Sequence, residues 1–247
     1  RIIAHLKDNV GSANRAIGPD VFEIAERLAS PTMVSPWSAS VIQYHLYERY
    51  LQVLAKDPMT AKKILLNIGK AYRYMGWYDK AEKTMKEGLK YFRGDVNFRR
   101  GLAVVYAEQK MYRKAAEVFS QVGDSFAEGV AWTLAEQHDR AIEVFSKLLT
   151  SNLDHQHPGE HARAWTVTGD IYEERGDRQS LLKAKNCHEK ALFLIQSAAN
   201  YKRLSDILQR LGRDDEAKEI YRKALQLHQE GQPLEDEPLS LNALFTE

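Results

Sequence analysis

The sequence predicts an all-α protein of helix–turn–helix repeats, on three observations. Leu66–Ala81 (LNIGKAYRYMGWYDKA) and Leu204–Ala224 (LSDILQRLGRDDEAKEIYRKA) are variants of one pattern. That pattern is a helix carrying a small residue with an aromatic three positions on, a Gly turn, and a second helix that opens on Ala. Gly69, Tyr72, Gly76, Ala81 and Gly88 fit it, as do Ala103, Tyr106, Ala115, Phe119 and Val122 in the next stretch. The second-helix alanines Ala81, Ala115, Ala141, Ala184 and Ala217 recur at intervals of 34, 26, 43 and 33 residues, and self-similarity at such a period marks a stack of supersecondary units. One hairpin cannot cover its own apolar face, so each unit depends on its neighbours and the two end faces need closing.

The leading end differs in character. Residues 1–18 are polar apart from Ile2, Ile3 and Leu6, with Gly11 and Gly18 interrupting any helix. Asp20 can cap a first helix, Glu23 is placed to reciprocate, and Phe22, Ile24, Ala25 and Leu28 give it an apolar face. Ser30–Pro36 breaks that helix, and a longer one is expected from about Trp37 to Lys56, closed by Asp57-Pro58. Residues 1–58 are therefore expected to be a degenerate hairpin that caps the stack.

From residue 59 to 228 the pattern runs through about five units, expected near 62–95, 96–124, 125–150, 160–196 and 198–228. The third (Gly129, Trp132, Ala141, Phe145) comes early, which predicts that the helix before it stops at Gly123-Asp124. The fourth (Trp165, Gly169, Tyr172, Gly176, Ala184, Ala191) carries extra residues between Asp177 and Leu182. The fifth (Leu204, Gly212, Ala217, Tyr221, Ala224) is close to regular, with Ser205 where Gly or Ala is expected. Small residues such as Gly69 and Ala103 mark where two helix axes cross closely, and the aromatics fill the space between hairpins. A 34-residue period with these Gly, Tyr and Ala positions resembles the tetratricopeptide repeat over roughly residues 61–228. The resemblance implies a right-handed superhelical solenoid whose concave surface is lined by the first helix of each hairpin.

The trailing segment Gln229–Glu247 begins with Gly and Pro, carries Glu235, Asp236 and Glu237, and ends with Leu239, Leu241, Leu244 and Phe245. Acidic residues leading into apolar ones at helical spacing suit a short motif that docks in a groove. Leu241, Leu244 and Phe245 are expected to pack on the last hairpin or on a partner, which includes self-association through the tail.

Composition narrows the function classes. Hydrophobic residues make up 44% of the chain and charged ones 28%, enough to bury a long core. The net charge of +1 leaves no basic footprint, so no nucleic-acid partner is expected. Cys187 is the single cysteine and cannot form an intrachain disulfide. No apolar stretch approaches the roughly 18 residues of a membrane span, and no signal peptide is visible. A cytoplasmic location is the expectation, for a chain that starts at Arg1 and reads as a fragment or processed product. Catalysis is not expected either: the chain lacks GxxxxGK[ST], GxSxG and HExxH. His157 to His161 spells HxxEH, but Pro158 and Gly159 lie between the histidines. His155, His157 and His161, with Cys187 or His188, match no standard zinc module, so neither metal nor cofactor is expected.

The resemblance projects Lys63, Lys70, Arg73 and Tyr74 onto the concave surface from the first unit, and Asn97 and Arg100 from the second. Phe126, Val130 and Leu134 follow from the third, and Asp170 and Glu173 from the fourth. That surface reads basic, then apolar, then acidic, so the expected ligand is a protein or peptide with acidic residues and an apolar anchor, and a multiprotein complex is among the expected settings. Some relatives grip a chaperone's C-terminal carboxylates; Lys63 and Asn67 have suitable spacing here, but Gly101 and Phe126 stand where further polar residues are required. RNA-binding helical repeats lack this Gly, Tyr and Ala signature. The expected function is a scaffold or adaptor. The alternatives are a chaperone or assembly factor shielding an apolar partner through the middle of the groove, with salt-insensitive binding, and, more remotely, a regulatory domain of a larger enzyme.

Overall fold

Several of the described helices start where a side chain accepts the free amides of the helix end. A computed structural model describes residues 57–150, 158–235 and 239. The expected cap over 1–58, apart from Asp57 and Pro58, lies outside the described residues, as do most of the residues beyond 235. The described residues hold ten α-helices and no strand.

Helix α1 (Pro58–Tyr74) opens with proline in its first turn and with the Asp57 carboxylate accepting the Thr60 amide at 3.1 Å. Helix α2 (Tyr78–Tyr91) follows, then α3 (Val96–Glu108), whose start is held by Asp95 accepting from the Asn97 and Phe98 amides at 2.9 and 3.2 Å. Helix α4 (Tyr112–Val122) ends at Gly123, in the left-handed region at φ 79°, and Asp124 at once caps α5 (Ser125–Leu134). The short second interval in the sequence, from Ala115 to Ala141, is this abrupt stop and restart. Helices α6 (His138–Thr150), α7 (Pro158–Arg175), α8 (Arg178–Leu194), α9 (Ala198–Arg210) and α10 (Asp214–Gln229) complete the order. Asp177 and Ser197 cap α8 and α9, and three acids in the first turn of α10 complement its dipole.

The turn inside each hairpin uses one left-handed residue. It is Gly76, Gly176 and Gly212 in three hairpins, but Lys110 (φ 59°) and Glu136 (φ 58°) in the other two. A side chain there costs about 1 kcal/mol that glycine avoids.

The chain divides into two compact units, residues 1–105 and 106–247, the boundary falling within α3. In the first unit α1 packs on α2. Their approach is so close that a Cβ at Gly69 would lie 2.5 Å from the Met85 methyl. The start of α3 docks in the same way: a Cβ at Gly88 would lie 2.2 Å from the ring of Phe98, which stacks on Phe92 at 5.8 Å. Lys62 of α1 pairs with Asp95, tying the two first helices together. In the second unit α5 packs against α4, α6 and α7, and α8 packs against both α7 and α9. The core slot recurs: Phe145 lies under Gly129, and His188 under Gly169.

Two consequences are measurable. Gly88→Ala should lower stability by about 1–3 kcal/mol through overpacking against Phe98, whereas Glu136→Gly should raise it by about 0.5–1 kcal/mol by relieving its left-handed backbone; urea midpoints check both. Burial raises the Asp95 carboxyl, but the Lys62 ammonium and the Phe98 and Asn97 amides outweigh it and hold the group below its ordinary 3.8. Its charge therefore stabilises the fold above that pH and stops doing so as pH falls through the lowered value. Asp95→Asn, which can still cap, should flatten the decline of melting temperature below about pH 4.

Candidate functional site

The first helices of the hairpins carry the residues to which the sequence assigns binding, and their side chains fall into three groups. On α1, Lys63 and Lys70 are two turns apart and exposed. Arg73 is half-buried, its guanidinium 4.5 Å from the ring of Tyr74, which is 47% exposed. On α3 of the same unit, Asn97 and Arg100 are exposed. Lys70 has no carboxylate partner among the described residues.

The apolar group is a correction. Phe126 and Val130 are buried, at 5% and 0% exposure, because α5 is a short apolar helix enclosed by α4, α6 and α7. The Phe126 ring meets Phe145 at 6.2 Å, and the Arg163 guanidinium lies 5.6 Å from its centroid. Both residues are core, and only the half-buried Leu134 remains at the surface. Their four-residue spacing on a first helix looks the same in a sequence whether it points to a groove or into a core.

The acidic group is already matched within the second unit. Asp170 accepts from Arg203 Nε at 3.2 Å, and Glu173 from Arg210 at 3.0 Å, so two cations of α9 neutralise two carboxylates of α7. Beside them Thr166 Oγ1 lies 3.0 Å from the Ala162 carbonyl and 3.1 Å from Asn200 Oδ1, a buried polar contact between the same two helices. The pairs sit 33 and 37 residues apart, near the repeat spacing. Asp170 and Glu173 follow Gly169 as Lys70 and Arg73 follow Gly69, so one pair of repeat positions carries opposite charge in the two units.

His188 is the residue that sequence reasoning undervalued. It stands four after Ala184, as Met85 stands four after Ala81 and Phe145 four after Ala141. Its ring is fully buried, Nε2 is 3.7 Å from Asp170 Oδ1, and neither nitrogen has a hydrogen-bond partner. Burial, reinforced by Arg203, pushes its pKa down to about 4. The repeat register would have flagged it as a polar side chain in an apolar slot. His161 is buried on α7, which begins at Pro158; His155 and His157 lie outside the described residues. Cys187 is buried and its thiol is pushed up to about 11, which leaves it no nucleophilic thiolate at neutral pH.

Beyond α10 the chain turns at Gly231 (φ 99°) and returns along α9. The Gln232 side chain accepts the Ala198 amide at 3.0 Å, Glu235 pairs with Lys202 at 2.8 Å, and Leu239 is half-buried. These contacts span 34 and 33 residues, so the segment takes the place that the start of a further first helix would occupy. Leu241, Leu244 and Phe245 lie outside the described residues. None of the described helices is long and apolar enough to cross a membrane. Gln232→Ala should lower stability by about 0.5–1.5 kcal/mol, read from urea denaturation, by freeing the first amide of α9.

Comparison with known proteins agrees with the helical hairpins. Residues 66–130 and residues 198–229 each match the tetratricopeptide repeat. No curated protein matches the chain. Among solved structures, MamA from Desulfovibrio magneticus RS-1 (residues 41 to the end) is 22% identical, over 70% of this chain and 97% of that one, with a TM-score of 0.56. BtubC from P. vanneervenii is 18% identical, over 88% and 97%, with a TM-score of 0.60. YrrB, described as a TPR protein with an unusual peptide-binding site, is 14% identical, over 74% and 93%, with a TM-score of 0.55. Residues 66–130 and 198–229 thus carry tetratricopeptide repeats, and the five hairpins of the described residues, with their close small-residue contacts, share the fold of these solved structures.

Proposed function

We propose that this chain is a protein-interaction scaffold whose first unit receives an acidic segment of a partner on α1 and α3. The observation that carries this reading is the difference between the equivalent positions Asp170 and Lys70. Asp170 and Glu173 in the second unit are neutralised by arginines of the neighbouring helix, while Lys70 at the matching place in the first unit is exposed without a carboxylate partner among the described residues. Lys63, two turns away on the same helix face, extends the positive strip, and Arg73 with Tyr74 offers a flat cationic and aromatic surface. Such a strip steers acidic chains and fixes their register more than it adds raw affinity. The similarity in fold to YrrB, with its described peptide-binding site, supports a peptide as the ligand class. Burial of Phe126 and Val130 removes the apolar surface on which a chaperone reading would rest. Of the three residues expected to form the apolar anchor, the half-buried Leu134 alone stays at the surface.

The test is an array of acidic peptides followed by fluorescence anisotropy on those retained. Lys63→Glu/Lys70→Glu, two exposed substitutions that spare the core, should weaken binding at least about tenfold. The salt dependence should fall as well, since each lost cation removes a screened attraction. Binding that is unchanged in this variant contradicts the assignment.

A further inference from the structure

His188 occupies the slot that Met85 and Phe145 fill in other hairpins, and an imidazole there has two nitrogens to satisfy. Neither is hydrogen-bonded, the ring is 0% exposed, and Nε2 lies 3.7 Å from Asp170 Oδ1. Such an orphaned buried group asks for a partner, an ion or a water among the explanations. Asp170 and Glu173 lie one turn apart on α7 and so share a face. His188 reaches them from α8, across the hairpin. Donor atoms of the three all lie within 4.8 Å of one another.

We propose that Asp170, Glu173 and His188 form a binding site for a divalent transition-metal ion of the zinc or nickel type, with one imidazole nitrogen and two carboxylate oxygens as ligands. Metal–donor bonds of about 2.0–2.2 Å require donors about 3–4 Å apart, which small rotations of the two carboxylates supply. A mixed nitrogen and oxygen donor set selects such ions over magnesium or calcium. Gly169 keeps the space above the ring: a Cβ there would lie 2.7 Å from Nε2. Arg203 holds Asp170 through Oδ1, the oxygen that also faces Nε2, so the ion requires that carboxylate to turn and share its oxygens between guanidinium and metal, whereas Glu173, held by Arg210 through Oε1, keeps Oε2 for the ion. The arginines then orient the ligands from outside, and their charge tunes affinity downward. Three protein ligands leave the remaining positions to water or to a donor from a partner.

Isothermal titration of the whole chain with Zn²⁺, and with Co²⁺ followed by its visible absorption, tests the site. The wild type should take up one equivalent, with a Co²⁺ band marking nitrogen and carboxylate coordination and a shift of the His188 ring ¹⁵N resonances. Asp170→Asn/Glu173→Gln keeps the half-buried side chains and their hydrogen bonding to arginine, and should weaken binding at least about tenfold. His188→Gln should do the same; if that variant fails to fold, the carboxamide pair decides. No uptake by the wild type, no shift at His188, or uptake by the carboxamide variant as tight as wild type would each overturn the proposal, the last by placing the ion on other surface groups.

Discussion

Close approach of two helix axes at a small residue is the constraint on which this architecture depends. Gly69, Gly129 and Gly169 sit on the first helix of their hairpins, and a side chain of the second helix fills the space that a Cβ would take. Helices packed at that distance gain dispersion contacts along their whole crossing, and one added methyl forces them apart. The slot is the same in the two units, but its occupant changes from Met85 to Phe145 to His188. Two of these are satisfied by packing alone. The third brings chemistry into the core, because an imidazole cannot be treated as an inert filler. The repeat thus fixes where a side chain goes and leaves open what it does there.

The same separation of placement from chemistry governs charge. Positions just after the small residue carry Lys70 and Arg73 in α1 and Asp170 and Glu173 in α7. In the second unit the next first helix answers with Arg203 and Arg210, so the carboxylates are matched at home. The Lys62–Asp95 pair does similar work at the start of α3, where one carboxylate serves both as cap and as counter-ion. The segment after α10 extends the logic: Gln232 and Glu235 meet α9 at the repeat's own spacing.

Much of the fold was legible because packing writes a periodic signal. The alanine intervals and the Gly–Tyr spacing gave the helical hairpins and their likeness to the tetratricopeptide repeat, and the short interval before Ala141 anticipated the break at Gly123 and Asp124. Turns were legible only where glycine marks them; Lys110 and Glu136 adopt the same backbone without announcing it, since a tolerable strain leaves no residue signature. The binding residues were harder. Phe126 and Val130 have the spacing of a groove and the burial of a core, and no single sequence separates the two, because the enclosure comes from α4, α6 and α7 together. The arginines that neutralise Asp170 and Glu173 lie more than 30 residues away and become visible only when adjacent first helices are laid side by side. His188 was legible in principle, by registering each hairpin on its alanine and asking which slot holds the wrong polarity.

The central functional claim is that α1 and α3 of the first unit hold the partner while the acidic positions of α7 stay internally paired. Amide chemical-shift mapping of the isotope-labelled chain with a retained acidic peptide tests it most directly. The account predicts that the shifted resonances cluster at Lys63, Lys70, Tyr74, Asn97 and Arg100. Shifts concentrated instead on α7 and α9, around Asp170, Glu173, Arg203 and Arg210, would show that the peptide breaks those pairs, and would contradict it.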